Sequence, residues 1–175
     1  MKVKIKKLHE NAVIPSYGKA GDAGINLTSV SLEIDENGIL TYDTGLAFEI
    51  PEGHYGMVAL RSSVYKTDLM LTNHLGIVDS GYRGSVKFKF ALTQQIIDFA
   101  REDADFDERL KKGQALFFPD ERSAHWKIPH VAEVYKVGDR IGQMIIMKYP
   151  TIEFEEVDDL SETERGHGSY GHTGK

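Results

Sequence analysis

Turn-forming clusters interrupt this 175-residue chain at short intervals, and that punctuation limits its possible folds more than any other feature. Asp35-Glu-Asn-Gly38, Pro51-Glu-Gly53, Asp79-Ser-Gly81 and Val137-Gly-Asp139 each combine residues that cap their own backbone or tolerate a left-handed conformation. Between such breaks the apolar residues alternate. Val86, Phe88 and Phe90 share one face while Lys87 and Lys89 take the other, and Val3 with Ile5 repeats the pattern between lysines. Many half-buried strands joined by tight turns predict an all-β sandwich or barrel. A hydrophobic content of 41% over this length suffices for one core and is short for two, so a single β domain is expected over residues 1–160.

Two segments depart from the alternation. Ile96, Phe99, Ala100, Phe106 and Leu110 recur at roughly helical spacing among Asp98, Arg101, Glu102, Asp105, Asp107 and Glu108, with Gly113 as a stop. This predicts a surface helix near Gln95 to Lys111, inside an insert spanning about 93–135 between two core strands. The run Arg165-Gly-His-Gly-Ser-Tyr-Gly-His-Thr-Gly174 has no packing period and reads as a flexible arm over 161–175.

The formal net charge of −6 argues against the broad basic face that nucleic acids or anionic membranes require. It leaves room for a small polyanion held by a few arginines and backbone amides at short range. No cysteine is present, so a thiolate metal site and a thiol nucleophile are excluded and a reducing cytoplasm fits. The first residues never become the apolar run of a signal peptide or membrane span.

Four segments carry groups suited to chemistry. Asn73 to Gly84 runs from an apolar stretch into Asp79, a turn, Tyr82 and Arg83, which predicts a β-hairpin whose backbone can pair with a flat base edge while Gly76 permits close approach. On spacing alone a purely structural hairpin, with Asp79 capping its own turn, stays open. Arg61-Ser-Ser63 follows a probable strand and offers hydroxyls, amides and a cation to phosphate oxygens. Gly138-Asp-Arg-Ile-Gly-Gln143 places polar Gln143 at the lip of a core strand, and the arm sets Arg165 and Tyr170 among glycines, a cation for phosphate and a ring for a base. The seven histidines form no HxH or HExxH spacing, and neither a GxSxG elbow nor a Walker lysine loop is present.

Taken in order, these segments resemble the five motifs of the trimeric dUTPase family across nearly the whole chain. Ala20-Gly-Asp-Ala-Gly-Ile-Asn-Leu27 is similar to the first and Arg61-Ser-Ser-Val64 to the second, although the family usually has glycine where Ser63 stands. Asn73 to Val86 matches the third with Asn73, Gly76, Asp79 and Tyr82 in place; Gly138 to Gln143 resembles the fourth, and Arg165 to Gly174 the fifth. The resemblance implies a jelly-roll-like fold, a homotrimer with shared active sites, and Mg2+-dependent hydrolysis of dUTP. Asp79 is then the general base for water attacking the α-phosphorus, a task suited to a carboxylate, which is ionised at neutral pH. Arg61, Ser62 and Gln143, with Ser63 beside them and Arg140 in support, bind phosphates. Asn73 and the backbone of Gly76, Ile77 and Val78 pair with uracil, and Tyr82 packs on the sugar to exclude a ribose hydroxyl. Arg165 grips the γ-phosphate, and Tyr170, where the family usually has phenylalanine, stacks on the base.

Asn26 stands where the first motif normally has an aspartate linked to the metal's water shell, which leaves Asn26 or Asp22 as its water-mediated partner. The long stretch from Thr93 to Tyr135 resembles the insert of bacteriophage and prophage dUTPases, and is expected to be the contact surface for a regulatory partner of the repressor type. Two rivals follow. dCTP deaminase shares the fold, but its catalytic glutamate falls at Lys89 here. A nucleotide-gated binding protein without turnover is the other.

Overall fold

The computed structural model describes residues 1–92, 117–118, 130–131 and 133–168. Its strands pair antiparallel throughout. One four-stranded sheet has the order β2 (Ile25–Thr28), β12 (Arg140–Lys148), β6 (His54–Ala59) and β8 (Gly76–Val78). A second has the order β3 (Ser31–Ile34), β4 (Leu40–Asp43), β9 (Lys87–Leu92) and β7 (Leu69–Leu71). Two ribbons accompany them, β1 (Lys4–Lys7) with β5 (Leu46–Glu49) and β10 (Phe117–Phe118) with β11 (His130–Val131). A short 3-10 turn, Ser62–Lys66, follows β6. The expected all-β, jelly-roll-like architecture is therefore present. The helix expected near Gln95 to Lys111 lies outside the described residues.

The alternation read from sequence sets the layers. Val86, Phe88 and Phe90 are buried while Lys87 and Lys89 are exposed, so β9 turns its aromatic face inward. Leu27, Val58, Val78, Ile141 and Met144 of the first sheet meet Leu40, Tyr42, Leu69, Leu71, Phe88 and Phe90 of the second in one core. Tyr42 and Phe90 contact edge to face at 5.6 Å, and the Tyr42 hydroxyl donates to the Tyr135 carbonyl at 2.7 Å. All four predicted turns form. In the first, Asp35 Oδ1 accepts from Asn37 and Ile39 N–H, and Gly38 takes φ 75°, a value that favours glycine.

Two expectations need correction. Asn73 to Gly84 is not a hairpin, because β8 pairs with β6 in one sheet whereas β9 pairs with β4 and β7 in the other. The physical reason is that Val78 and Val86 bury on facing layers, so the segment between them crosses from sheet to sheet. Gln143 is not at the lip of its strand but is the fourth of the nine residues of β12.

The Phe88 ring of the second sheet seats on Gly142 of the first, where a Cβ would fall inside that ring. Only glycine admits that ring. Gly142→Ala should lower the unfolding free energy by about 1–3 kcal/mol, the usual scale of overpacking, seen as a lower denaturant midpoint with an unchanged slope. An unchanged midpoint would show that Phe88 has room to move aside.

Candidate active site

Most of the residues singled out by sequence line one or the other of two pockets with no residue in common. The first, of about 270 Å³, is lined by Asn73, Gly76, Ile77, Val78, Asp79 and Tyr82, with Phe88 in its wall. Because β8 ends its sheet, one side of Gly76–Val78 carries no ladder partner among the described residues, which leaves backbone donors and acceptors for a flat polar ligand. Asp79 is exposed just beyond β8, and its carbonyl accepts from Tyr82 N–H at 3.0 Å. Arg83 ties the same turn by donating to the Ser80 and Tyr82 carbonyls at 2.6 and 2.9 Å.

The second pocket, of about 590 Å³, gathers Lys19, Asp22, Asn26, Arg61, Ser62, Arg140 and Gln143. Three cations face a single carboxylate there, so an acidic protein presents a locally basic hollow. Its frame is well tied. Arg61 Nη1 donates to the Arg140 carbonyl at 3.3 Å and to Ser63 Oγ at 3.4 Å, linking the end of β6 to the start of β12. Gln143 Nε2 donates to the Leu60 carbonyl at 3.0 Å, and a Cβ on Gly24 would strike the Gln143 amide. A bulge in β12 between Arg140 and Gly142 breaks the register with β2 just where Arg140 enters the pocket. Asp22 Oδ2 accepts from Lys19 N–H at 2.8 Å.

Two expected site residues that the structure describes, Ser63 and Arg165, are not brought in. Ser63 lines neither pocket; its hydroxyl lies by Arg61 and by the buried Tyr135, a ring whose phenol burial pushes up against the opposing pull of Ser63 and Arg61. The Tyr135 hydroxyl itself has no hydrogen bond of ordinary length and angle among the described residues. Arg165 is exposed, with Nε donating to the Gly168 carbonyl at 3.1 Å, and lines neither pocket. Tyr170 lies outside the described residues.

Other residues were not anticipated. Lys19 stands directly ahead of the first motif-like segment, a signal that adjacency offered. Asp43 sits behind Ser85 and Lys87, which line the first pocket: Ser85 Oγ donates to Asp43 Oδ1, Gly45 N–H donates to the same oxygen at 2.7 Å, and Lys87 Nζ is 3.2 Å from Oδ2. Burial opposes the Asp43 charge, but these donors outweigh it and hold the carboxyl below its ordinary range.

The family profile for dUTPase matches residues 10–103 and 131–174. The deoxyuridine 5'-triphosphate nucleotidohydrolase of Arabidopsis thaliana is 35% identical over 98% of this chain and 82% of its own length. That of Wolinella succinogenes is 34% identical over 100% of this chain and 95% of its own. Among solved structures, the dUTPase of Staphylococcus bacteriophage 80alpha with dUPNHPP superposes with a TM-score of 0.70 at 26% identity, covering 99% of each chain. That phage enzyme is described as controlling transfer of virulence genes by a proto-oncogenic G protein-like mechanism.

The Asp43 cluster sets an acid dependence. A carboxyl whose folded pKa lies below its unfolded value stabilises the fold above the ordinary carboxylate range, and the contribution is lost as pH falls through the folded value. Below about pH 4 the unfolding free energy of the wild type should therefore fall more steeply with acidity than that of Asp43→Asn. Parallel curves in chemical denaturation would remove Asp43 from that dependence.

Proposed function

The chain belongs to the dUTPase family, and on that premise we propose that it hydrolyses dUTP to dUMP and pyrophosphate with Asp79 as the general base. The observation that carries the assignment is that Asp79 is the only carboxylate among the described residues lining the first pocket. Uracil pairs with Asn73 and the free edge of Gly76, Ile77 and Val78, and Tyr82 covers the sugar where a ribose hydroxyl would stand. Asp79 accepts a proton from water as the water oxygen attacks the α-phosphorus; the bond from that phosphorus to the bridging oxygen breaks, and pyrophosphate leaves.

The triphosphate chain suits the second pocket, where Lys19, Arg61 and Arg140 supply charge and Ser62 and Gln143 supply donors. The family resemblance implies a homotrimer with shared active sites, and in this reading the first pocket of one subunit meets the second pocket of a neighbour. Arg165 and Tyr170 then close the site from the arm. Each arm residue ordered costs on the order of 1–2 kcal/mol of entropy, which a guanidinium–phosphate pair and a base stack offset.

Magnesium fits this arrangement as an ion carried by the substrate. No cluster of three His, Cys, Asp or Glu among the described residues is placed to cage a metal, and Asp22 and Asn26, which line the second pocket, are the groups assigned to water-mediated contact. When bound, the ion orients and neutralises the phosphate oxygens. No helix among the described residues is long and apolar enough to cross a membrane.

The deaminase alternative gains no support, because Lys89, at the position of its glutamate, is exposed on β9 opposite Thr41 and lines neither pocket. A regulatory partner, by analogy with the phage relative, is assigned to the insert, which interrupts the motif order without supplying a motif.

Asp79→Asn should retain affinity for a non-hydrolysable dUTP analogue within several-fold while cutting turnover by at least about a hundredfold, the scale of a positioned general base. Near-normal turnover, followed as pyrophosphate release, would take Asp79 out of the role.

A further inference from the structure

Tyr82 is the wall on which sugar selection rests in the reading above, yet the residue is 46% exposed. Its hydroxyl donates to the Ser85 carbonyl at 3.1 Å, and its ring lies against Gly84, where a Cβ would fall inside it. The Ser85 side chain is in turn fixed from behind by Asp43. Tyr82, Ser85 and Lys87 line both the first pocket and a separate depression of about 400 Å³, and Asp43 lines only the latter. Asp43 thus lies one residue removed from the nucleoside, at the end of β4 and in register with Lys87 of β9.

We propose that Asp43 is a positioning residue that determines sugar specificity, holding the Tyr82 ring in place through Ser85. The inference rests on the assignment of Tyr82 to the sugar. The physical case is that a pocket rejects an added hydroxyl only as well as its wall resists displacement, and an exposed ring on a turn yields readily unless the turn is anchored. The anchor here is a carboxylate that accepts from two donors at one oxygen and pairs with a cation at the other. Arg83 fixes the same turn from its solvent side through two backbone carbonyls, which leaves the Ser85 end to Asp43. Asp43 lies outside every motif-like segment, and Ser85, within the third, carries no binding role of its own in the reading above.

The test compares kcat/KM for dUTP and for UTP in full-length Asp43→Asn, Ser85→Ala, the double variant and Tyr82→Ala, with thermal midpoints recorded alongside. Each of the first two should lower the dUTP to UTP ratio by about tenfold, within the range that a single pocket contact contributes to discrimination. The double variant should lower it no further than the larger single effect, because both act through one contact. Loss of stability alone would lower both constants together and leave the ratio unmoved. Should Asp43→Asn fail to fold, Ser85→Ala decides, since it leaves the bonds from Asp43 to Gly45 and Lys87 intact. An unchanged ratio in both singles, with a lowered one in Tyr82→Ala, overturns the role of Asp43 and leaves that of Tyr82 standing. Additive effects in the double variant overturn the link between Asp43 and Ser85. An unchanged ratio in Tyr82→Ala overturns the underlying assignment of the sugar wall.

Discussion

The seating of the Phe88 ring on Gly142 packs the two sheets together at a point that adjoins both pockets. Phe88 stands in the wall of the first pocket. Gly142 lies between Arg140 and Gln143, which line the second. A close approach of this kind transmits displacement, because a packed interior has no slack to absorb even one methyl group. The bulge at Arg140 and the bond from Arg61 to the Arg140 carbonyl then orient the start of β12 relative to that fixed point.

The second pocket shows how an acidic chain accommodates a polyanion. Lys19, Arg61 and Arg140 come from three separate stretches of sequence and face only Asp22. The chain as a whole still carries a net charge of −6, which opposes non-specific association with polyanions. Short-range pairing of guanidinium groups with phosphate oxygens, not the long-range field, is what such a hollow offers. Gly24 and Gln143 add a fit that depends on the absence of a side chain, since a Cβ there would displace the amide held by Leu60.

Much of this was legible in the sequence because it depends on local pattern. The period of two placed Val86, Phe88 and Phe90 inward, and the turn residues ended strands where the structure ends them. Asn73, Gly76, Asp79 and Tyr82 line one pocket because they lie within ten residues on one edge strand and the turns that flank it. What local pattern lacks is pairing partners. The segment after β8 looked like a hairpin since its turn and flanking apolar residues suit one, but burial sends its two arms to different layers. Ser63 was assigned to phosphate with its neighbour Ser62, whereas the turn from Ser62 to Lys66 directs it toward Arg61 and Tyr135. Asp43 carried no signal at all, because its partner Ser85 is 42 residues away and only strand pairing joins them.

The central claim is that a working site combines the first pocket of one subunit with the second pocket of another, and subunit complementation tests it most directly. Asp79→Asn inactivates one half-site and a combined Arg140→Ala, Gln143→Ala change inactivates the other. Each parent should be nearly inactive alone. When the two are unfolded together, refolded and shown by native mass measurement to form mixed trimers, the account predicts dUTP hydrolysis well above the sum of the parents, since some sites then unite two intact halves. Mixed trimers that stay at the parental level would contradict it, and would mean that both pockets serving one ligand come from a single chain.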